Sequence, residues 1–208
     1  MIALTIESLC TAADLLAQRD PALARVLERY GYPPLWGRAP SFGSLVHIIL
    51  EQQVSLASAQ AAFTKLSHLL DGRVLPASFL TLDDQTLRDA GFSRQKTLYA
   101  RGLAEAVLNG SLLLDQLSEM DDESVKTTLK QLKGIGDWTA DVFLTACLLR
   151  PDILPKGDIA LYEAYKVLYE LEKRPHHDDF VAGTVHWSPW RSVGIRLLWH
   201  FYLSERGR

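Results

Sequence analysis

Apolar residues recur at helical spacing along almost the whole of this sequence. Phe42, Leu45, Val46, Ile49 and Leu50 form one such stripe. Sustained apolar/polar alternation, the pattern of a half-buried strand, is hard to find. The chain is therefore predicted to be all-α, with about ten helices, over residues 11–18, 21–30, 41–50, 55–70, 83–90, 93–108, 121–132, 137–149, 158–171 and 189–203. Pro21 suits a first helical position, Ser41 an N-cap and Gly91 a C-cap. Gly31-Tyr32-Pro33-Pro34, Asp71-Gly72 and Arg174-Pro175-His176-His177 break the pattern.

The 208 residues, 48% of them hydrophobic, suffice for one compact unit or two small lobes sharing a core. Neither a repeat nor a low-complexity linker divides the chain. A formal charge of −3 counts against a bulk nucleic-acid coater, whose affinity rests on many Lys and Arg contacts, but not against a grip on a few phosphates through backbone amides. Arg94, Lys96, Arg101, Lys130 and Lys133 are the residues available to flank a nucleic-acid track, with acidic Asp121 and Asp122 among them. The two cysteines, Cys10 and Cys147, lie far apart, so neither an iron–sulfur cluster nor a zinc site is expected. His176-His177-Asp178-Asp179 lacks ligand spacing and reads as a solvated loop. No apolar run approaches about 18 residues, and the N-terminus does not read as a secretion signal. A soluble protein of the cytoplasm, or of the nucleoid in a bacterium, is the expectation.

One short segment carries chemistry. Leu132-Lys133-Gly134-Ile135-Gly136-Asp137-Trp138-Thr139-Ala140 sets a Gly-Ile-Gly turn between two helical stretches. Such a turn presents backbone N–H groups at a helix start, where the positive end of the helix dipole favours a phosphate. Glycine also punctuates helices for purely structural reasons. Some twenty residues on, Leu154-Pro155-Lys156-Gly157-Asp158 puts a carboxylate at the next helix start, where aspartate serves equally as an ordinary N-cap.

Trp138-Thr139-Ala140 and the run through Val142, Phe143 and Ala146 resemble the helix-hairpin-helix signature of the base-excision glycosylases. The stretch from Phe42 to Ser55, with Glu51-Gln52-Gln53-Val54 at its end, looks like the early helix of the AlkA-like 3-methyladenine DNA glycosylases. Leu87 to Lys96, through Gly91, is similar to that family's next segment. Arg150-Pro151-Asp152-Ile153-Leu154-Pro155 with Asp158 matches the approach to its catalytic aspartate, and Trp190-Arg191-Ser192 to Trp199 its last helix. The resemblance spans residues 41–203 in register.

It implies a two-lobed helix-hairpin-helix fold with a DNA cleft between the lobes. Residues 41–150 would form a central lobe with the hairpin, and 1–40 with 151–208 a second lobe carrying the catalytic Asp158. The N-terminal β domain of some AlkA-like enzymes has no room here, which implies a minimal form. By the resemblance, Gly134, Ile135, Gly136 and Thr139 bind a phosphate. Gln53 fills the gap left by a flipped nucleotide, a role weighed against that of a plain surface residue. Trp138 and Trp199, with Val142 where a pocket aromatic is usual, receive the base. These tryptophans also suit an amphipathic core. Bifunctional relatives carry a lysine nucleophile at the position of Trp138, so an enzyme without lyase activity is implied. The family's second acidic residue is Gly157 here.

The activity implied is hydrolysis of the N-glycosidic bond of alkylated purines, 3-methyladenine foremost and 7-methylguanine beside it, in double-stranded DNA. Two alternatives stay open: release of uncharged deaminated or etheno purines, and lesion recognition without catalysis. No cofactor is expected beyond a structural Na+ or K+ at the backbone of Leu132, Gly134 and Ile135. The expected partner is damaged duplex DNA, with no membrane, no iron–sulfur cluster and a monomeric state.

Overall fold

The computed structural model describes residues 3–207. In chain order the helices are α1 (Ile6–Arg19), α2 (Pro21–Tyr30), α3 (Phe42–Glu51), α4 (Leu56–Leu69), α5 (Pro76–Leu80) and α6 (Asp84–Asp89). They continue with α7 (Arg94–Leu108), α8 (Asp122–Lys130), α9 (Asp137–Ala146), α10 (Ile159–Leu168), α11 (His177–Gly183) and α12 (Arg191–Glu205). Two 3₁₀ turns occur at Leu114–Gln116 and Val185–Trp187, and no strand occurs among the described residues. The all-α reading holds.

Two compact units divide the chain. Among the described residues, unit one is Arg38–Leu148, and unit two comprises residues 3–37 and 149–207. In unit one, α3 packs against α4, α7 and α9, α5 lies on α7, and α8 on α9. Leu45, Val46 and Ile49 of α3 are fully buried, as the stripe requires. Phe79 closes this core edge-on to Phe42 at 5.7 Å. Arg38 binds the buried Glu51 through its two terminal guanidinium nitrogens, Nη2 at 2.6 Å and Nη1 at 3.1 Å, which fixes the start of the unit to the end of α3.

In unit two, α12 packs against α1, α2 and α10. Trp187 is fully buried, and a Cβ at Gly194 would come within 2.4 Å of its ring, so only glycine lets α12 approach this closely. Beneath them Asp20 is a hub. Its carboxylate accepts from Tyr169 Oη at 2.5 Å, from His186 Nε2 and Trp187 Nε1 at 2.8 Å each, and from the N–H groups of Ala22 and Leu23.

Three expectations need correction. The first helix begins at Ile6 rather than near 11, because Thr5 and Ser8 form a reciprocal capping box. Helix α5 went unread: it spans five residues and buries one large side chain, Phe79, too little for a period to show. The stretch His176-His177-Asp178-Asp179 is not a loop; His176 is the N-cap of α11, which Phe180 anchors in the core.

Candidate functional site

Eight of the twelve helices among the described residues begin on Ser, Thr or Asp whose side chain accepts an N-terminal N–H. Helix α9 does not: its N-cap is Gly136, which has no side chain to offer. A Cβ at Gly136 would meet nothing within 4 Å, so the space beside this helix start is open. Gly134 is held for a different reason. Its φ is +93°, and a Cβ there would fall 2.1 Å from the ring of Tyr99. Glycine lets the hairpin backbone lie on that ring. Ile135 is buried, and its N–H closes the turn onto Leu132 O at 3.1 Å.

Sequence reasoning singled out Gln53 and passed over Gln52. Gln52 caps the C-terminus of α3, and its Nε2 donates to Gly134 O and to Thr139 Oγ1, both at 2.9 Å. One amide thereby binds the turn after α3 to the hairpin and to the first turn of α9. Gln53 follows at φ +57° with its side chain exposed. Lys96 Nζ donates to Leu50 O at 2.7 Å, holding the same turn from α7, and burial draws its ammonium pKa down. The only advance signal for Gln52 was its place in a Gln-Gln pair at a helix end.

Trp138 is half-buried on α9, and Val142, one turn later on the same helix, is buried. Of the basic residues, Lys96 is engaged as described, Arg101 binds Leu82 O and Asp84, and Lys130 pairs with Asp137. Arg94 and Lys133 are exposed. Among the carbonyls named for a monovalent cation, Leu132 O accepts the Ile135 N–H and Gly134 O accepts from Gln52. Each retains a second lone pair, so both remain compatible with such an ion. No group of three His, Cys, Asp or Glu able to hold a metal occurs among the described residues. Cys147 is buried, and burial pushes its thiol up to about 12.

In unit two, Asp158 is 8% exposed and is the N-cap of α10, its Oδ1 accepting the Leu161 N–H at 2.9 Å. The segment leading to it is laced to the start of α12. Asp152 accepts from Arg191 Nε at 2.7 Å and Nη2 at 2.8 Å, and from the Arg191 backbone N–H at 3.1 Å. Ser192 Oγ accepts the Ile153 N–H at 2.9 Å. Gly157 stands at φ +82°, where glycine is the natural occupant, and its N–H donates to Tyr162 Oη at 2.8 Å. Trp199 is half-buried on α12 and meets Trp36 edge-on at 6.5 Å. Trp36, at φ +48° and 37% exposed, was missed because it lies in an aperiodic Pro/Gly-rich loop.

In chemical terms, unit one offers a helix start without a side-chain cap beside a turn carrying an exposed glutamine. Unit two offers a carboxylate set in place by its own helix, with a tryptophan pair on α12 and the loop before α3.

Residues 46–187 match the model of the HhH-GPD superfamily base excision DNA repair proteins. The chain is 30% identical over 185 residues to YfjP of Bacillus subtilis, covering 86% of this chain and 64% of that protein's length. Among solved structures, it superposes on a DNA-3-methyladenine glycosidase from Bacillus halodurans with a TM-score of 0.74 and 29% identity, covering 100% of this chain and 95% of that one. It shares the fold of the Schizosaccharomyces pombe 3-methyladenine DNA glycosylase Mag1, solved in complex with abasic DNA. There the TM-score is 0.84 at 24% identity, covering 94% of this chain and 97% of that one. No helix among the described residues is long and apolar enough to cross a membrane. With the hairpin at Gly134–Gly136 and the capping Asp158 both inside the matched span, this chain belongs to the HhH-GPD superfamily of base excision DNA repair proteins.

Proposed function

We propose that this chain hydrolyses the N-glycosidic bond of alkylated purines, 3-methyladenine foremost and 7-methylguanine beside it, in duplex DNA. The observation that carries the reading is Asp158, a buried carboxylate held at the head of α10 in a chain similar to proteins named for 3-methyladenine release. The N–H groups at the start of α9 bind a phosphate of the damaged strand. Gln53 enters the gap left by the flipped nucleotide and offsets part of its unstacking cost of a few kcal/mol. Trp138 and Trp199 receive the base, and a tryptophan face attracts an alkylated, cationic purine by about 0.5–2 kcal/mol. The C1′–N bond then breaks with its electron pair leaving on the base, which becomes neutral. Asp158 stabilises the positive charge that develops on the sugar and orients the water that adds to C1′, whose proton is released. The product is an abasic site.

An indole at position 138 supplies no amine, so the reading includes no strand cleavage, and borohydride should trap no enzyme–DNA adduct. A Na+ or K+ held by the carbonyls of Leu132, Gly134 and Ile135 would add positive charge beneath the bound phosphate. Val142 supports a second reading: without an aromatic there, the pocket is less committed to cationic bases, and deaminated or etheno purines become substrates.

The test is release of free bases from methylated duplex DNA, wild type beside Asp158→Asn. Wild type should release 3-methyladenine or 7-methylguanine, and the variant should lose about 10²–10³-fold in rate while still binding abasic-analogue DNA. Release only from deaminated or etheno duplexes would establish the second reading. No release from any of these, with DNA binding intact, would replace catalysis by lesion recognition.

A further inference from the structure

The turn before Asp158 is held by a chain of hydrogen bonds that ends on a different helix. The Gly157 N–H donates to Tyr162 Oη at 2.8 Å, and Tyr162 lies on α10, four residues after Asp158. The same hydroxyl is 2.9 Å from His177 Nδ1, in the first turn of α11. A phenol that takes an N–H on its oxygen directs its single proton to another acceptor. With Nδ1 as that acceptor, the ring proton of His177 sits on Nε2. The Tyr162 ring is buried and braced edge-on by Phe180 at 5.2 Å. Asp158 is therefore bounded on both sides. Its Oδ1 is tied forward to the Leu161 N–H, and the peptide before it is tied to the same helix through Tyr162.

We infer that Tyr162 and His177 are positioning residues for the Asp158 carboxylate. The inference rests on the functional reading above. Preorganised charge acts only where it is held, and a displacement of about 1 Å at a reacting centre costs about 10²-fold in rate. Gly157 has the widest backbone freedom of any residue, so the turn it occupies does not hold itself. The Tyr162 hydroxyl supplies the restraint, and His177 fixes which way that hydroxyl points. Because the hairpin and Gln53 belong to the other unit, loss of the restraint falls on the chemical step and not on DNA affinity.

Single-turnover base release and affinity for an abasic-analogue duplex are measured for wild type, Tyr162→Phe, His177→Leu and His177→Asn. The ring nitrogens of His177 are read by ¹⁵N NMR in the free protein. Tyr162→Phe keeps the ring and the fold; its rate should fall about 10- to 100-fold with affinity within about twofold. The His177 ring-nitrogen signals should shift, because Nδ1 loses its Tyr162 partner. His177→Asn, whose Oδ1 takes the place of Nδ1, should recover part of the rate that His177→Leu loses. A Tyr162→Phe rate equal to wild type, or a rate loss matched by an equal loss of affinity, overturns the positioning role alone. Wild type that releases no base overturns the functional reading and this consequence of it together.

Discussion

At the scale of single residues, Gly134 shows how one missing Cβ sets a site. Its backbone lies on the Tyr99 ring, so Gly134→Ala forces a contact near 2.1 Å as well as a side chain at φ +93°. The substitution should cost about 1–3 kcal/mol of stability and weaken binding to abasic-analogue DNA. A Gly134→Ala/Tyr99→Ala double variant should recover the steric part and leave the dihedral part, a non-additivity that a thermodynamic cycle reads directly. Strict additivity would mean that the ring is not what excludes the methyl. Gly136 differs: a Cβ there meets open space, so Gly136→Ser should fold normally. Its hydroxyl would compete with a phosphate for the N–H groups of α9, and equal DNA affinity in that variant would remove the hairpin from phosphate binding.

At the scale of elements, the turn after α3 is shared property. Gln52 donates both of its amide hydrogens to the hairpin side, and Gln53 is exposed at φ +57°. Two adjacent glutamines therefore have separable consequences. Gln52→Ala leaves Gly134 O and Thr139 Oγ1 without that donor and should lower stability by about 1–3 kcal/mol, with weaker DNA binding following from the loosened turn. Gln53→Ala touches an exposed side chain, so the melting temperature should stay put while affinity for abasic-analogue duplex falls. Thermal melts beside binding titrations check both; a Gln53→Ala protein that binds as tightly as wild type has no wedge.

At the scale of the molecule, unit two is pinned at Asp20. Burial alone would raise its pKa, but hydrogen bonds from Tyr169, Trp187, His186 and the Leu23 N–H outweigh it and hold the carboxyl below 3.8. Its stabilising contribution is thus complete above the unfolded value near 3.8 and is lost as pH falls through the lower folded value. Acid denaturation should show that loss, and Asp20→Asn should flatten it while costing about 2–3 kcal/mol at neutral pH. Unchanged acid unfolding in Asp20→Asn would show that the hub adds nothing. Yet nothing in the sequence around Asp20 announces this role. It is a single acidic residue before Pro21, and its partners at positions 169, 186 and 187 are distant along the chain. The same division runs through the whole protein. Helical period, capping residues and the Gly-Ile-Gly turn are local, set by spacing and backbone chemistry within a few residues, and they were legible in order: the all-α class, Asp158 at a helix start and the hairpin at 134–136. Short α5 and α11 carried too few buried positions to make a period. Gln52, Tyr162, His177 and Trp36 acquire their roles only from partners in other helices and loops. Sequence determined the helical class, most of the segments that coil and the turn chemistry between them; tertiary structure alone decided which side chains meet, because that depends on packing between segments that spacing cannot encode.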